Sequence, residues 1–333
     1  MPTETEAIIV PAQKAAFQFS AIKLEDPLED EIFLHLTRVF LDMKEPASFN
    51  QAMNFGRLRN ADVGDKPGAV MKSEKEGGEK ETVHGAFFGQ SSMARMALVN
   101  EASCIKVPDD TDLETLAPLG CGLMTGAGAV INRLKPSSDS SIAIYGLGAV
   151  GMSGILASAH LGVSTIIAID LIPSRLDIAL TFGATHTLNA SDPDIVSKVR
   201  ALTKDGAGTE CTLEASGNMR AFRNAYEATA PGGHMTSAGT PGPGVKPAFD
   251  VFEHVCTAKI YSAVLMGCCY PREFIPFLID LHRQGKFPIE KISRKYKVEQ
   301  FQEAIHAMQV AFLLSLSILH ESNVARFSGN LAR

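Results

Sequence analysis

Ser141-Ile-Ala-Ile-Tyr-Gly-Leu-Gly-Ala-Val-Gly151 joins a short apolar, β-branched run to three glycines and then to a segment of helical period. Residues 141–145 read as a buried strand, Ala149 to Leu161 as a helix stopped at Gly162, and Thr165-Ile-Ile-Ala-Ile169 as the next strand. Gly146, Gly148 and Gly151 form a G-x-G-x-x-G at the strand-to-helix turn. The first glycine permits the tight turn, the second lets backbone approach a pyrophosphate, and the third allows close helix-on-strand packing. Ala149 and Val150 open the helix, whose N-terminal N–H groups favour an anion. The second strand ends in Asp170, 24 residues after Gly146. A carboxylate there binds adenosine ribose hydroxyls and repels a 2′-phosphate, which selects NAD(H) over NADP(H). Its alternative reading is an N-cap for the following helix. Arg175 lies either along an adenine face or on solvated helix surface.

The alternation continues. Arg175 to Phe182 reads as helix, a short strand follows near Thr187, then a helix over Asp194 to Thr203 and a strand over Glu210 to Glu214. A helix at Arg220 to Ala230, closed by Pro231-Gly-Gly233, leads to strands at His234 to Ala238 and Lys259 to Val264. Repeated β–α–β with continuous apolar strands implies an α/β fold built on a doubly wound parallel (Rossmann) sheet. Upstream, strand-like pieces at Glu6 to Val10 and Ile32 to Leu36 are broken by Pro11, Pro27 and Pro46, which predicts a β-rich region with loops. The polar run from Asn60 to Thr82 offers nothing apolar to bury and is expected to be a mobile surface loop with a solvated charge run.

The 333 residues favour two domains, and 45% apolar with 20% charged residues excludes bulk disorder. A net charge of −6, without any Lys/Arg run longer than two residues, leaves no electrostatic footprint for nucleic acid. The six cysteines form no C-x-x-C pair and no regular framework, which implies a reducing compartment. The acidic N-terminus is unlike a signal or transit peptide, and the apolar run Ala311 to Leu319 is about half a membrane span. A cytoplasmic protein without a membrane partner is expected.

The chain resembles the zinc-type alcohol dehydrogenases of the medium-chain dehydrogenase/reductase superfamily, especially their aryl- or benzyl-alcohol branch. The resemblance is carried by Phe87-Phe-Gly-Gln-Ser-Ser92, Leu116-Ala-Pro-Leu-Gly-Cys-Gly122, Thr125-Gly-Ala-Gly-Ala129, the glycine fingerprint, Glu273-Phe-Ile-Pro276 and Arg283-Gln-Gly-Lys-Phe287, and it spans residues 84–308. It implies a GroES-like catalytic domain, truncated here, over residues 1–122 and 266–333, and a Rossmann domain over residues 123–265, with substrate in the cleft between them. By carry-over, Cys121 stands at a catalytic-zinc ligand position. Thr125, one helical turn later, stands where a hydroxyl contacts nicotinamide and the reacting oxygen. Phe87, Phe88, Thr240, Pro241 and Leu265 would line an apolar pocket, and Ala215 and Ser216 would pack beside the adenosine half. A homo-oligomer, dimer or tetramer, is expected.

The departures bear on the chemistry. A catalytic zinc needs three protein ligands, and the family supplies the others from a Gly-Val-Cys-His-Thr-Asp and a Gly-His-Glu segment. Neither occurs in this sequence. After Glu31-Ile-Phe-Leu-His-Leu36 the chain passes almost directly to Glu45-Pro-Ala-Ser-Phe49, which resembles the family beyond its structural-zinc lobe. His35 and His84 are the nearby imidazoles, and no metal site is expected. After Glu303-Ala-Ile-His-Ala-Met308 the family's Gly-Lys strand is replaced by Val310 to Leu319 and a polar tail.

Three functions stand open on this reading. One is a zinc-independent, NAD(H)-dependent oxidoreductase on a small apolar or aromatic alcohol/carbonyl pair, with Thr125 as proton relay and Cys121 lowered in pKa by its helix N-terminus and by a neighbouring positively charged nicotinamide. The second is a redox-neutral isomerase or cyclisation catalyst of specialised metabolism, using Cys121 or His84 as acid/base. The third is a non-catalytic dinucleotide-binding relative.

Overall fold

A computed structural model describes residues 104–242, 244–247 and 250–309, and the backbones of strands Thr3–Ile9 (β1), Gln18–Leu24 (β2), Glu31–His35 (β3), Val70–Glu74 (β4), Lys80–His84 (β5), Met96–Asn100 (β6) and Ser315–Leu319. The chain divides into two compact units. One comprises Met1–Ala117, Lys295–Ala307 and Ser317–Arg333; the other comprises Pro118–Arg294 and Met308–Leu316.

In the first unit β1, β2, β4 and β5 form an antiparallel sheet in that order, and β3 pairs antiparallel with β6. The expected mobile loop over Asn60 to Thr82 is corrected at residues 70–74 and 80–82; its residues 60–69 and 75–79 lie outside the described residues. Val70 to Glu74 pairs with Lys80 to His84 in an unbroken antiparallel register, Val70↔His84 to Glu74↔Lys80. Backbone ladder bonds and cross-strand pairing stabilise a hairpin even where its composition is polar. A short helix, Leu113–Leu116 (α1), is capped by the Asp112 carboxylate, which accepts from the Glu114 and Thr115 N–H groups. Lys295 lies 3.5 Å from that carboxylate and 3.2 Å from Glu114.

The second unit begins with Gly122–Gly128 (α2). It continues through Ser141–Tyr145 (β7), Ala149–His160 (α3), Thr165–Asp170 (β8), Pro173–Thr181 (α4), His186–Asn189 (β9), Ile195–Ala201 (α5) and Thr209–Glu214 (β10). Next come Met219–Ala228 (α6), Thr229–Ser237 (β11), Val251–Thr257 (α7), Ile260–Ala263 (β12) and Pro271–Arg283 (α8). Ser293–Lys297 (β13), Phe301–Gln309 (α9) and Ser315–Leu319 (β14) follow in the chain and fall mostly within the first unit. The six strands β12-β11-β10-β7-β8-β9 form one parallel sheet in that order. The order reverses between β7 and β10, so the crevice for a ligand opens at their carboxyl ends. The tail contributes a strand, since β14 pairs with β13 in a two-stranded sheet.

Both faces of the parallel sheet are covered, which explains why its strands carry no alternation. On one face Ala143, Tyr145, Ile167, Ile169 and Met235 pack with Ile195, Val199, Phe222 and Tyr226 from α5 and α6. On the other, α3 comes so close that a Cβ on Gly154 would lie 2.8 Å from the Leu213 side chain. Each large apolar side chain fully buried this way contributes about 1.5–3 kcal/mol. One sequence expectation fails locally. Pro231-Gly-Gly233 does not close α6 but lies inside β11, where the register on β10 jumps from Thr209↔Thr229 to Cys211↔His234. α6 runs straight into the strand, and the bulge absorbs the residues that read as a breaker. Among the described residues, no single helix is long and apolar enough to cross a membrane.

α2 lies against α3 at backbone contact distance. A Cβ on Gly126 would sit 1.9 Å from the Val150 carbonyl oxygen, and the Ser153 hydroxyl donates to the Leu123 carbonyl. Gly126→Ala is therefore expected to lose more than about 2 kcal/mol of stability, measured by urea unfolding; a loss below about 0.5 kcal/mol would show that the helices separate freely.

Candidate dinucleotide site

The glycine turn follows β7 without a linker. Gly146 has φ +88°, a left-handed conformation, and a Cβ there would lie 2.8 Å from the Ser216 backbone nitrogen. A Cβ on Gly151 would lie 1.9 Å from the Gly146 carbonyl oxygen, so the helix start is pressed onto the turn. Gly148 is different, because a Cβ there meets nothing within 4 Å. Its open side is the approach a pyrophosphate needs. Gly148 is the N-cap of α3 and supplies no side-chain cap, which leaves the first-turn N–H groups at Ala149 and Val150 available to an anion.

Asp170 closes the turn from β8. Its Oδ2 accepts from the Leu147 N–H at 2.6 Å and its Oδ1 from the Ile172 N–H at 2.9 Å. It is not the N-cap of α4; Ile172 holds that place. Arg175 is not solvated surface, since its Nη1 stands 3.7 Å from Asp170 Oδ2 and its Nε is buried without a protein partner. The buried Nε is a donor free for a ligand acceptor, and the glycine turn, α3 terminus and Asp170 together fit a dinucleotide.

On the far side of the switch point, Ala215 donates its N–H to the Tyr145 carbonyl at 2.8 Å, while Ser216 is exposed beside Gly146. A residue unremarked in the sequence holds this loop. Glu214, 1% exposed, accepts on Oε1 from the Ser216 N–H at 2.8 Å, the Ser216 hydroxyl at 2.5 Å and the Gly217 N–H at 2.9 Å. Its signal was a carboxylate ending an otherwise buried strand. Burial raises its pKa against the lowering effect of those hydrogen bonds. Gly217 in turn packs on the Thr240 backbone, where an added Cβ would meet it at 3.1 Å. Thr240 and Leu265 are exposed and Pro241 is half-buried, on the loops after β11 and β12.

Cys121 is the N-cap residue of α2, and its carbonyl accepts the Thr125 N–H at 2.9 Å, which places the two one helical turn apart. Thr125 is buried. Burial pushes the Cys121 thiol up. Cys121 is itself among the exposed cysteines, so the rise comes from the protein packed around it, and it runs against the lowering expected from the helix N-terminus. His84 ends β5 in the first unit, and Phe87 and Phe88 lie outside the described residues. Among the described residues, no three His, Cys, Asp or Glu side chains form a group able to hold a metal ion.

With this geometry in view, the comparisons become specific. Residues 149–282 match the zinc-binding dehydrogenase family model. The chain is 34% identical over 258 residues to the geraniol dehydrogenase of Castellaniella defragrans, covering 77% of this chain and 66% of that protein. It is 30% identical to an S-(hydroxymethyl)glutathione dehydrogenase of Escherichia coli, over 67% of this chain and 60% of that one. The benzyl alcohol dehydrogenase structure from Acinetobacter calcoaceticus superposes with a TM-score of 0.82 at 28% identity, covering 95% of this chain and 99% of that one. The match thus spans somewhat less than two thirds of these two sequence relatives. The chain is an alcohol dehydrogenase-like member of the medium-chain dehydrogenase/reductase superfamily.

The Glu214 geometry sets a pH dependence. A buried acid with a raised pKa favours its protonated form in the folded state, so its contribution to stability falls as pH climbs above its ordinary value of 4.5. Glu214→Gln keeps an oxygen for all three donors without the charge. It is expected to lack that decline between about pH 5 and about pH 8 in urea titrations, whereas Glu214→Ala loses about 1–3 kcal/mol at both. Parallel pH profiles for wild type and Glu214→Gln would remove Glu214 as the source.

Proposed function

We propose that the chain is an NAD(H)-dependent oxidoreductase acting on a small apolar or aromatic alcohol and its carbonyl counterpart, without a catalytic zinc. One observation carries this reading: the turn whose open side lies at Gly148 is held by Asp170, the residue positioned for the adenosine ribose. The printed names of relatives, geraniol dehydrogenase and benzyl alcohol dehydrogenase, support the substrate class. The absence from the sequence of the Gly-Val-Cys-His-Thr-Asp and Gly-His-Glu segments supports zinc independence. Residues 123–265 are read as the dinucleotide domain, and residues 1–122 and 266–333 as the catalytic one. Exposed Phe252 and Val255 on α7 support a homo-oligomer.

A bound nicotinamide supplies or accepts the hydride. The chain must then stabilise charge on the substrate oxygen. Thr125 carries a neutral hydroxyl able to donate to a carbonyl oxygen and to accept an alcohol proton. Cys121, exposed but pushed up in pKa by the protein packed around it, is a second donor rather than a thiolate. His84 remains a candidate acid/base in the first unit.

NADH is expected to bind more tightly than NADPH by roughly tenfold to several hundredfold, because Asp170 opposes a 2′-phosphate at short range. Calorimetry checks this, and Asp170→Ser narrows the ratio; tighter NADPH binding would overturn the assignment.

Reduction of aromatic or terpenoid aldehydes by NADH is expected to persist after dialysis against chelator, in protein with no stoichiometric zinc by elemental analysis. Thr125→Ala should then lower turnover by about 10²–10⁴ with NADH affinity little changed, and Cys121→Ala by less. One tightly held zinc per chain, with activity lost on its removal, would refute the zinc-independent reading.

A further inference from the structure

α2 is braced by the turn that follows β12, Leu265-Met-Gly-Cys-Cys269. Three successive residues there hold left-handed φ: Met266 at 49°, Gly267 at 73° and Cys268 at 46°. Only glycine adopts this region without steric penalty, so the turn keeps its shape because its surroundings impose it. A Cβ on Gly128 would lie 2.2 Å from the Gly267 carbonyl oxygen, and one on Gly267 would lie 2.4 Å from the Met124 carbonyl oxygen. The Asn132 amide donates to the Gly267 carbonyl at 3.1 Å, and the Cys269 thiol donates to the Met266 carbonyl at 3.2 Å.

The turn places two thiols on consecutive residues. Cys268 is exposed and Cys269 half-buried, neither in a disulfide. Cys211, by contrast, is buried and pushed up to about 11 by burial and by Glu210. Across one trans peptide the Cα atoms are about 3.8 Å apart, closer than the roughly 4.4–6.8 Å of ordinary disulfides. A bond closed there is strained and readily reduced, which is the character of a switch rather than a staple.

We propose that Cys268 and Cys269 form a vicinal dithiol that closes reversibly to a disulfide by exchange with a small-molecule disulfide such as oxidised glutathione, and that closure loosens the turn's grip on α2. The exposed Cys268 thiolate attacks one sulfur of the small disulfide, forming a mixed disulfide and releasing one thiolate. The Cys269 thiolate then attacks the Cys268 sulfur, breaking the mixed bond and releasing the second. The protein loses two electrons and two protons, and the small disulfide becomes two thiols. Once oxidised, Cys269 has no S–H to donate, so its bond to the Met266 carbonyl is necessarily lost. Gly267 is the next residue, and its carbonyl and Cα are what seat the turn against Gly128, one turn of helix from Thr125.

The full-length chain incubated with oxidised glutathione is expected to end at a mass lower by two hydrogens, mapped to the peptide holding Cys268 and Cys269 and reversed by dithiothreitol. Cys269→Ser should instead keep one glutathione on Cys268. Cys268→Gly, whose backbone suits the left-handed position, should give no species of lower mass and guards against a serine variant that fails to fold. In the oxidised wild type, amides of residues 122–128 should exchange about tenfold faster. A wild-type protein that stops at the Cys268 adduct, or a two-hydrogen loss that survives in Cys269→Ser, overturns the dithiol. Unchanged exchange in α2 overturns the coupling. Neither readout uses nucleotide or substrate, so the result is independent of the function proposed above.

Discussion

The hydrogen bond from the Leu147 N–H to Asp170 Oδ2 at 2.6 Å is the contact on which the nucleotide half depends. It ties the carboxyl ends of β7 and β8 together across the first position where the chain leaves the sheet. The group suited to a ribose is thereby also the group that fixes the glycine turn. A second constraint is purely steric. Gly146 faces Ser216 and Gly151 faces the Gly146 carbonyl at distances no side chain tolerates. The crevice is therefore shaped by backbone on three sides, and its geometry depends little on rotamers.

What the sequence made legible followed from period and punctuation. β7, α3 and β8 were readable within a residue or two, because continuous β-branched runs can be buried only in a parallel sheet covered on both faces. What it hid was context. Val70 to Glu74 and Lys80 to Thr82 read as part of a loop because antiparallel pairing uses backbone groups, to which composition is blind. Pro231-Gly-Gly233 looks like an end because a bulge and a helix stop share the same residues. Asp170 was found as an acid at the right spacing, whereas Glu214 passed as the end of a strand, since the three donors it serves come from the turn after it. The helix N-terminus at Cys121 is visible in the sequence, whereas the protein packed around that cap, which pushes its thiol up, is not.

The family likeness is uneven along the chain, and the unevenness has chemical content. The glycine turn and its tie to Asp170 are in place, while the two segments from which the family supplies its other metal ligands do not occur in the sequence. Cys121, pushed up by the protein packed around it, is held as a thiol rather than a thiolate. The likeness is thus fullest along the sheet domain and thinnest where the family carries its metal ligands.

The direct passage of α6 into β11 has a consequence for how the sheet is assembled. Thr229 is both the cap of the helix and the first residue of the strand, so no linker separates them. The β10–α6–β11 crossover has almost no slack, and little loop entropy is spent in closing it. Contacts so near in sequence form early relative to those that close long connections. The same economy makes this junction intolerant of length: a residue inserted at 228–229 has no loop to occupy and must either rotate the helix face off the sheet or enlarge the bulge.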